Sequence, residues 1–456
     1  MLTYTLKKAP GMPLYEALYR CIREDIITGV LQPGARLPSK RALAENLEVS
    51  KITVEGAYEQ LAADGYIRAV ERVGYFVEAV ERKPAKQILP VSMPKQPTYL
   101  LDLTANGSTD FPFSVWNKLQ REVMLDLQEQ LLLPVPNQGI WELRCAIAEH
   151  LSGFRGMQVQ PENILVGAGT DFLYNLLIQL LGRDKIFAIE EPGYDKIRKI
   201  YEAGGASCVS AQMDMYGVIP QTLGSAQVLH LSPAHHFPTG LITPMSRRME
   251  LISWMQAEQD RYIIEDDYDS EFRFDAHPMP TMESLDRQSR VIYMNTFSKT
   301  LVPSIRISYM VLPEPLMVRF RETLGFYSCT VPSFEQYTLA RFLHRGYFEK
   351  HLNRMRKAYK ARRNSVMAVL QQSLPAGKFR ILEQNAGLHF LLQAATTEAE
   401  TELVAQWEAK GIRVRSLESY YREGQPLQQN CLVINYSSLT PEKIQQLSQL
   451  LQLTTE

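Results

Sequence analysis

Apolar residues recur at helical spacing in three stretches near the start of the chain: Leu14 to about Gly29, Ser39 to Leu47, and Thr53 to Asp64. A Pro33-Gly34 turn separates the first two. Leu43, Ala44 and Leu47 are expected to face a core, with Val49 filling the next turn and Val54, Ala57, Tyr58 and Leu61 continuing the buried stripe. Ser39 reads as an N-cap, and Gly65 as the residue just past the third helix, where glycine is favoured. Tyr66–Ala69 and Gly74–Val77 then read as a hairpin, so the first 78 residues predict a winged helix-turn-helix. Residues 79–98 hold four prolines and no helical period, the pattern of a linker. From residue 99 to 456, short apolar runs (NILVGAG, KIFAIE, AQVLHLS, YIIEDD, VIYMNTF, ISYMVLP) alternate with amphipathic helical stretches. That alternation predicts an α/β domain built on a mostly parallel sheet. After about Gly325, long charged helices and a strand-like CLVINYS predict a smaller α+β subdomain.

At 456 residues the chain exceeds a single core, in agreement with several folding units. Its net charge of −1 favours neither nucleic acid nor an anionic membrane. Residues 1–80 hold ten Lys/Arg and ten Asp/Glu, so DNA binding by the first unit must come from a local patch. The five cysteines are odd in number and scattered without a Cys-x-x-Cys pair, which argues against a disulfide framework or a zinc site and suits a reducing cytosol. The opening MLTYTLKKAPGMP lacks the apolar core of a secretory signal, and no run approaches the roughly 18 apolar residues of a membrane span. A soluble cytoplasmic protein is expected.

In the first unit Arg36, Ser39, Lys40, Arg41, Ser50, Lys51 and Thr53 are left facing outward. Hydroxyls and cations at helix starts suit phosphate and base-edge contacts in a major groove. The competing reading is a helical bundle with a solvated face, or a winged helix that binds protein.

In the second unit, NTFSKTLVPSIRISYM places Lys299 between hydroxyl residues at the end of an apolar strand. By itself that fits a buried, ion-paired lysine as well as a Schiff-base lysine, which needs burial or nearby cations to lose its proton. Thr296 and Arg306 offer a hydroxyl and a guanidinium fork to a phosphate. VGAGTDFLYNLLIQLLG reads as strand, glycine turn and helix, whose N-terminus around Gly169 and Thr170 suits the same phosphate. Phe172 stands where a dinucleotide fingerprint needs a third glycine, which excludes a Rossmann site. The acids of YIIEDDYDSEF (Glu265, Asp266, Asp267, Asp269, Glu271) lack the glycine and distal glutamate of a calcium loop, so no metal site is expected. Asp266 instead suits a protonated pyridine nitrogen, Tyr268 the ring's phenolic oxygen, and Tyr194 in EEPGYDK a stacking contact. The other acids are expected to be structural or solvated.

Residues 13–78, through LPSKRALAENLEVSKITVEGAYEQLAADGY, resemble the GntR-type winged helix. GAGTD, EEPGYDK, AHHFPTG, EDDYD and NTFSK follow the order and spacing of fold-type I aminotransferases. Joined, they resemble the MocR subfamily of bacterial transcription regulators over the whole chain. The resemblance implies pyridoxal 5'-phosphate held as an internal aldimine on Lys299, with Asp266, Tyr268, Tyr194, Gly169, Thr170, Thr296 and Arg306 around it. It further implies an effector that is an amino compound or the cofactor itself, a double-stranded DNA operator, and a homodimer in which each head reaches to the partner's large domain. DNA contacts map onto Arg41, Ser50, Lys51, Thr53 and Arg72. Lys51 replaces the family's usual arginine, which removes bidentate readout. Phe237 stands where aminotransferases place an asparagine, and Val433 aligns with their carboxylate-binding arginine; Arg415 or Arg413 is the expected substitute, with Lys196 a second effector contact. The alternative function is an active aminotransferase with an accessory DNA-binding domain.

Overall fold

The computed structural model describes residues 2, 4, 13–79, 99–105, 107, 110–274, 279–383, 385–396, 398–422 and 428–452. The chain divides into two compact units, Met1–Gln96 and Pro97–Glu456. Apart from Ala79, the expected linker 79–98 lies outside the described residues.

In the first unit, α1 (Leu14–Thr28) buries Leu18, Ile22 and Ile26 at four-residue spacing. Helix α2 (Lys40–Asn46) starts after Ser39, whose hydroxyl accepts a hydrogen bond from Ala42 N at 3.1 Å. Helix α3 (Lys51–Ala63) starts two residues before the expected Thr53, because the Ser50 hydroxyl caps it by accepting from Thr53 N at 3.1 Å. Gly65, at φ +76°, takes the left-handed conformation past its end. Strands β1 (Ile67–Val70) and β2 (Gly74–Val77) pair antiparallel with Ile67 opposite Val77. Leu43, Val54, Ala57, Tyr58 and Leu61 close one core with the α1 stripe. Each fully buried Leu, Ile or Val contributes roughly 1.5–3 kcal/mol.

The second unit is built on an eight-stranded sheet. In spatial order the strands are Ile164–Gly167, Ser308–Val311, Val291–Thr296, Tyr262–Asp266, Val228–Leu231, Ile186–Glu191, Ser207–Asp214 and Gly217–Val218. The five from Val291–Thr296 to Ser207–Asp214 are mutually parallel. The first four are nearly all buried, as strands covered on both faces must be, whereas Ser207–Asp214, toward the sheet edge, is buried only in part. Ser308–Val311, the ISYMVLP run, is antiparallel to both neighbours.

A four-stranded antiparallel sheet forms the smaller subdomain, in the order Phe379–Leu382, His389–Ala394, Cys431–Asn435, Arg415–Ser416. The expected boundary at Gly325 needs correction. Helix Ser333–His344 packs Leu339, Phe342 and Leu343 into the core beside the large sheet, with Trp116, Leu143 and Ile147. Conversely Leu101–Asp102 pairs with Ile412–Arg413, and Leu101 joins the small core. Periodicity shows that a segment is an amphipathic helix or a strand, not which sheet it covers.

Candidate functional site

The parallel strands end at a cavity of about 370 Å³, lined among others by Thr170, Tyr194, Lys196, Asp266, Tyr268, Thr296, Lys299 and Arg306. These eight of the expected site residues come from four separate segments of the chain. Ligand sites outside the carboxyl ends of such strands are the rule for open α/β sheets.

The loop after strand Ile164–Gly167 turns through Gly169, at φ +89°, into helix Thr170–Leu181, whose first turn has no side-chain cap. Its free N–H groups and positive dipole end therefore remain available to an anion. Gly169 does not line the cavity directly. It lies against the Arg306 guanidinium, which a Cβ there would strike. Asp171 Oδ2 accepts from Lys196 Nζ at 2.7 Å and lies 3.4 Å from Arg306 Nη2, so one carboxylate holds both cations at this end.

Strand Val291–Thr296 delivers Lys299. The Thr296 hydroxyl caps the turn Phe297–Thr300, accepting from Ser298 N at 3.1 Å and from the Ser308 hydroxyl at 2.8 Å. Ser298 was not expected as a site residue, yet its Oγ is buried without a partner and the residue lines the same cavity. Burial, which disfavours the ammonium form, holds the Lys299 pKa below its ordinary value, against the opposing pull of Asp269 and Asp266. A neutral amine is the form that attacks a carbonyl carbon.

Asp266 ends strand Tyr262–Asp266 and is buried. Tyr174 donates to its Oδ2 at 2.5 Å, and His230 Nε2 lies 3.4 Å from the same oxygen. Its Oδ1 is buried with no partner. A buried carboxylate oxygen without a donor is costly unless a ligand supplies one, and a protonated ring nitrogen does so. Tyr174 and His230 were not anticipated. The one available signal was a histidine interrupting the apolar strand VLHL.

Tyr268 lies with its ring centroid 6.0 Å from Lys299 Nζ, and its hydroxyl 3.3 Å from His235 Nδ1. His235 also pairs with Asp269 at 2.9 Å. Burial raises Glu190, another lining residue, to about 8, which leaves it protonated at neutral pH. Tyr194 is half-exposed, edge-on to Phe237 at 5.9 Å.

The expectation that the other acids of the YIIEDDYDSEF run are structural or solvated is corrected in its second half. Glu265, Asp267, Asp269 and Glu271 are all buried. Asp267 accepts from the Tyr293 hydroxyl at 2.6 Å and pairs with buried Arg155 at 2.8 Å. Asn295 donates to Glu271 at 3.1 Å. These partners lie far off in sequence, so the segment alone could not show them.

Neither proposed effector arginine lines the cavity. Arg413 pairs with Asp102 at 3.3 Å and sits over the Tyr99 ring. Arg415 is exposed on the edge strand opposite Val433 and reaches Tyr420.

In the first unit Arg41 and Lys51 are exposed at the starts of α2 and α3, and Arg41 pairs with Glu45 at 2.9 Å. Ser39 and Ser50 act as caps, and the Ser50 and Thr53 hydroxyls are 2.8 Å apart. Arg72, at φ +60°, projects from the wing tip almost fully exposed. Arg36 instead donates to the Val73 carbonyl and braces the wing. Lys40 is turned toward Glu55 at 2.7 Å rather than outward.

Residues 98–451 match the aminotransferase class I and II family model, and residues 14–77 match the model of the bacterial regulatory proteins of the gntR family. The chain is 38% identical to an uncharacterized HTH-type transcriptional regulator, YdeL, of Bacillus subtilis, with 93% of each chain covered. It is 29% identical to the probable rhizopine catabolism regulatory protein MocR of Rhizobium meliloti, covering 97% of this chain and 93% of that one. Among solved structures it resembles the multiple substrate aminotransferase of Thermococcus profundus, with a TM-score of 0.68 at 20% identity, covering 79% of this chain and 92% of the other. At that identity the likeness concerns the fold.

Proposed function

Because the chain belongs to the MocR-type branch of the GntR regulators, an aminotransferase class I and II domain behind a gntR-family head, we propose that it is a transcription regulator that binds operator DNA through the head and pyridoxal phosphate at Lys299. The carrying observation is the meeting, in one cavity, of a desolvated lysine amine, a buried carboxylate oxygen without a donor, and an uncapped helix N-terminus beside Arg306. These features fit the three ends of the cofactor: its aldehyde, its ring nitrogen and its phosphate. When bound, the cofactor supplies an aldehyde carbon with which primary amines condense reversibly.

In this reading Lys299 Nζ is the protein's own amine for that carbon, and burial eases the loss of its proton. Asp266, braced by Tyr174 and His230, holds the ring-nitrogen proton. Thr170, Thr296, Ser298 and Arg306 bind the phosphate, Tyr268 faces the phenolic oxygen, and Tyr194 stacks. The effector is a primary amine or the cofactor itself. An active homodimer and a cytoplasmic location belong to the same reading; among the described residues no helix is long and apolar enough to cross a membrane. The test is the absorbance of purified protein loaded with pyridoxal phosphate, followed by borohydride reduction. A visible band that borohydride bleaches onto Lys299 supports the reading, and a protein that stays colourless overturns it.

Gly169→Ala is expected to weaken retention of pyridoxal phosphate on the order of tenfold or more, since a Cβ at positive φ costs about 1–3 kcal/mol and displaces Arg306. Absorbance titration of the variant measures it; wild-type affinity would separate Arg306 from the phosphate.

For the head, Arg41→Ala and Lys51→Ala are each expected to weaken operator binding and to reduce the salt slope by about 1. The Arg41–Glu45 pair is solvent-exposed and competes weakly. Gel shifts at several salt concentrations measure both effects, and unchanged affinity in both variants would remove these residues from the DNA interface.

A further inference from the structure

Part of the cavity lining is apolar. Phe237 and Leu388 line it, and Phe237 packs against a cluster of Leu391, Leu417, Cys431 and Val433. The Phe237 ring lies edge-on to Tyr194 at 5.9 Å and to Tyr420 at 5.2 Å. His389 stands 5.2 Å from it with Nε2 on the Pro238 carbonyl at 3.1 Å. A carbonyl only accepts, so His389 spends its one N–H there, and burial beside His235 keeps it uncharged.

Among the described residues, the lysines and arginines lining the cavity are Lys196, Lys299 and Arg306. Two of these are held by Asp171, at 2.7 and 3.4 Å, and belong to the phosphate end. Asp171, Asp266 and Asp269 line the same space, as does Glu190, which burial keeps protonated at neutral pH. A carboxylate brought against Phe237 would lose its hydration without meeting a cation of the lining, since Arg415 lies on Tyr420 outside it, whereas a hydrocarbon group there would bury apolar surface.

We propose that the cavity selects primary amines that carry no carboxylate on the carbon next to nitrogen, with an aromatic or hydrocarbon body packed on Phe237. This selectivity rests on the reading that an amine is the effector. Phe237 is its specificity-determining residue.

2-Phenylethylamine and L-phenylalanine differ only in that carboxylate, and the visible absorbance of the cofactor-loaded full chain reports their binding. The expected half-maximal concentration for phenylethylamine is at least tenfold below that for phenylalanine. Phe237→Arg, which adds a cation to the apolar wall, is expected to narrow or invert that ratio, read as the two half-maximal concentrations within the variant itself. If the variant does not fold, the wild-type comparison still decides. Equal or tighter response to phenylalanine in the wild type overturns the selectivity, as does no response to phenylethylamine up to its solubility limit. In both cases a borohydride-sensitive band remains, so the cofactor reading survives. Absence of that band overturns the cofactor reading and the selectivity together.

Discussion

Lys299→Ala is expected to give a folded, DNA-binding protein that no longer changes its DNA affinity when an amine is added. Lys299 contributes no ion pair to the described structure that its loss would orphan, and burial disfavours its charged form. Truncation therefore removes little that holds the large unit together. What it removes is, among the described residues, the only lysine lining the cavity besides Lys196, whose amine is bound to Asp171. An effector amine that must displace the lysine finds nothing to displace. Coupling between two sites typically amounts to 1–3 kcal/mol, about 5–150-fold in affinity, and it should fall to none. If the cofactor itself is the effector, part of the response should persist through the phosphate contacts of Thr170, Thr296 and Arg306. Gel-shift titrations with pyridoxal phosphate alone and then with amines separate these cases. A variant that answers an amine as fully as wild type would show that exchange at Lys299 is not the switch.

The second large effect separates two adjacent aspartates. Asp267→Ala leaves the buried Arg155 guanidinium without its 2.8 Å partner and the Tyr293 hydroxyl without its acceptor. Breaking a buried pair from one side costs about 3–5 kcal/mol, so the melting temperature should drop on the order of 5–15 °C even without cofactor. Asp266→Ala removes a carboxylate with one unpartnered oxygen, and the Tyr174 hydroxyl loses its acceptor. Its stability loss should be smaller, about 1–3 kcal/mol. Its cofactor affinity should fall about a hundredfold, because a buried ring cation would have no counter-charge. Melting curves and absorbance titrations on both variants measure the contrast. If Asp267→Ala lost the cofactor band and Asp266→Ala kept it, the assignment along the acidic run would be reversed.

Much of this site was legible residue by residue. Lys299, Asp266, Thr170, Thr296 and Arg306 stand in short segments whose pattern announces a strand end or a helix start, and those are the places where a sheet presents side chains to a ligand. Tyr174 was hidden because an aromatic residue at helical spacing looks like core, and it is core on every side but the one that meets Asp266. Ser298 was hidden because two hydroxyls flank the same turn. Only the three-dimensional hydrogen bonds show that Thr296 is occupied as a cap while Ser298 is not. Arg36 and Lys40 looked like groove-facing cations for a related reason. Charge is visible in sequence, but whether the wing carbonyl of Val73 or Glu55 has already claimed it is not.

The sequence by itself determined the local elements, the winged helix-turn-helix head and the alternating α/β body, because helix and strand periods, caps and turn residues act over a few positions. It also singled out short motifs that line one cavity. Only the tertiary structure decided the partners: Arg155 for Asp267, Tyr174 for Asp266, Asp171 for both Lys196 and Arg306. It alone assigned helix Ser333–His344 to the core beside the large sheet, and Leu101, through its strand's pairing with Ile412–Arg413, to the core of the smaller subdomain. It also kept Arg413 and Arg415 out of the cavity lining and left Phe237 facing it. The physical reason is the same in each case. A buried charge or an apolar face needs a complementary surface, and the chain brings that surface from residues tens to hundreds of positions away, where no local pattern reaches.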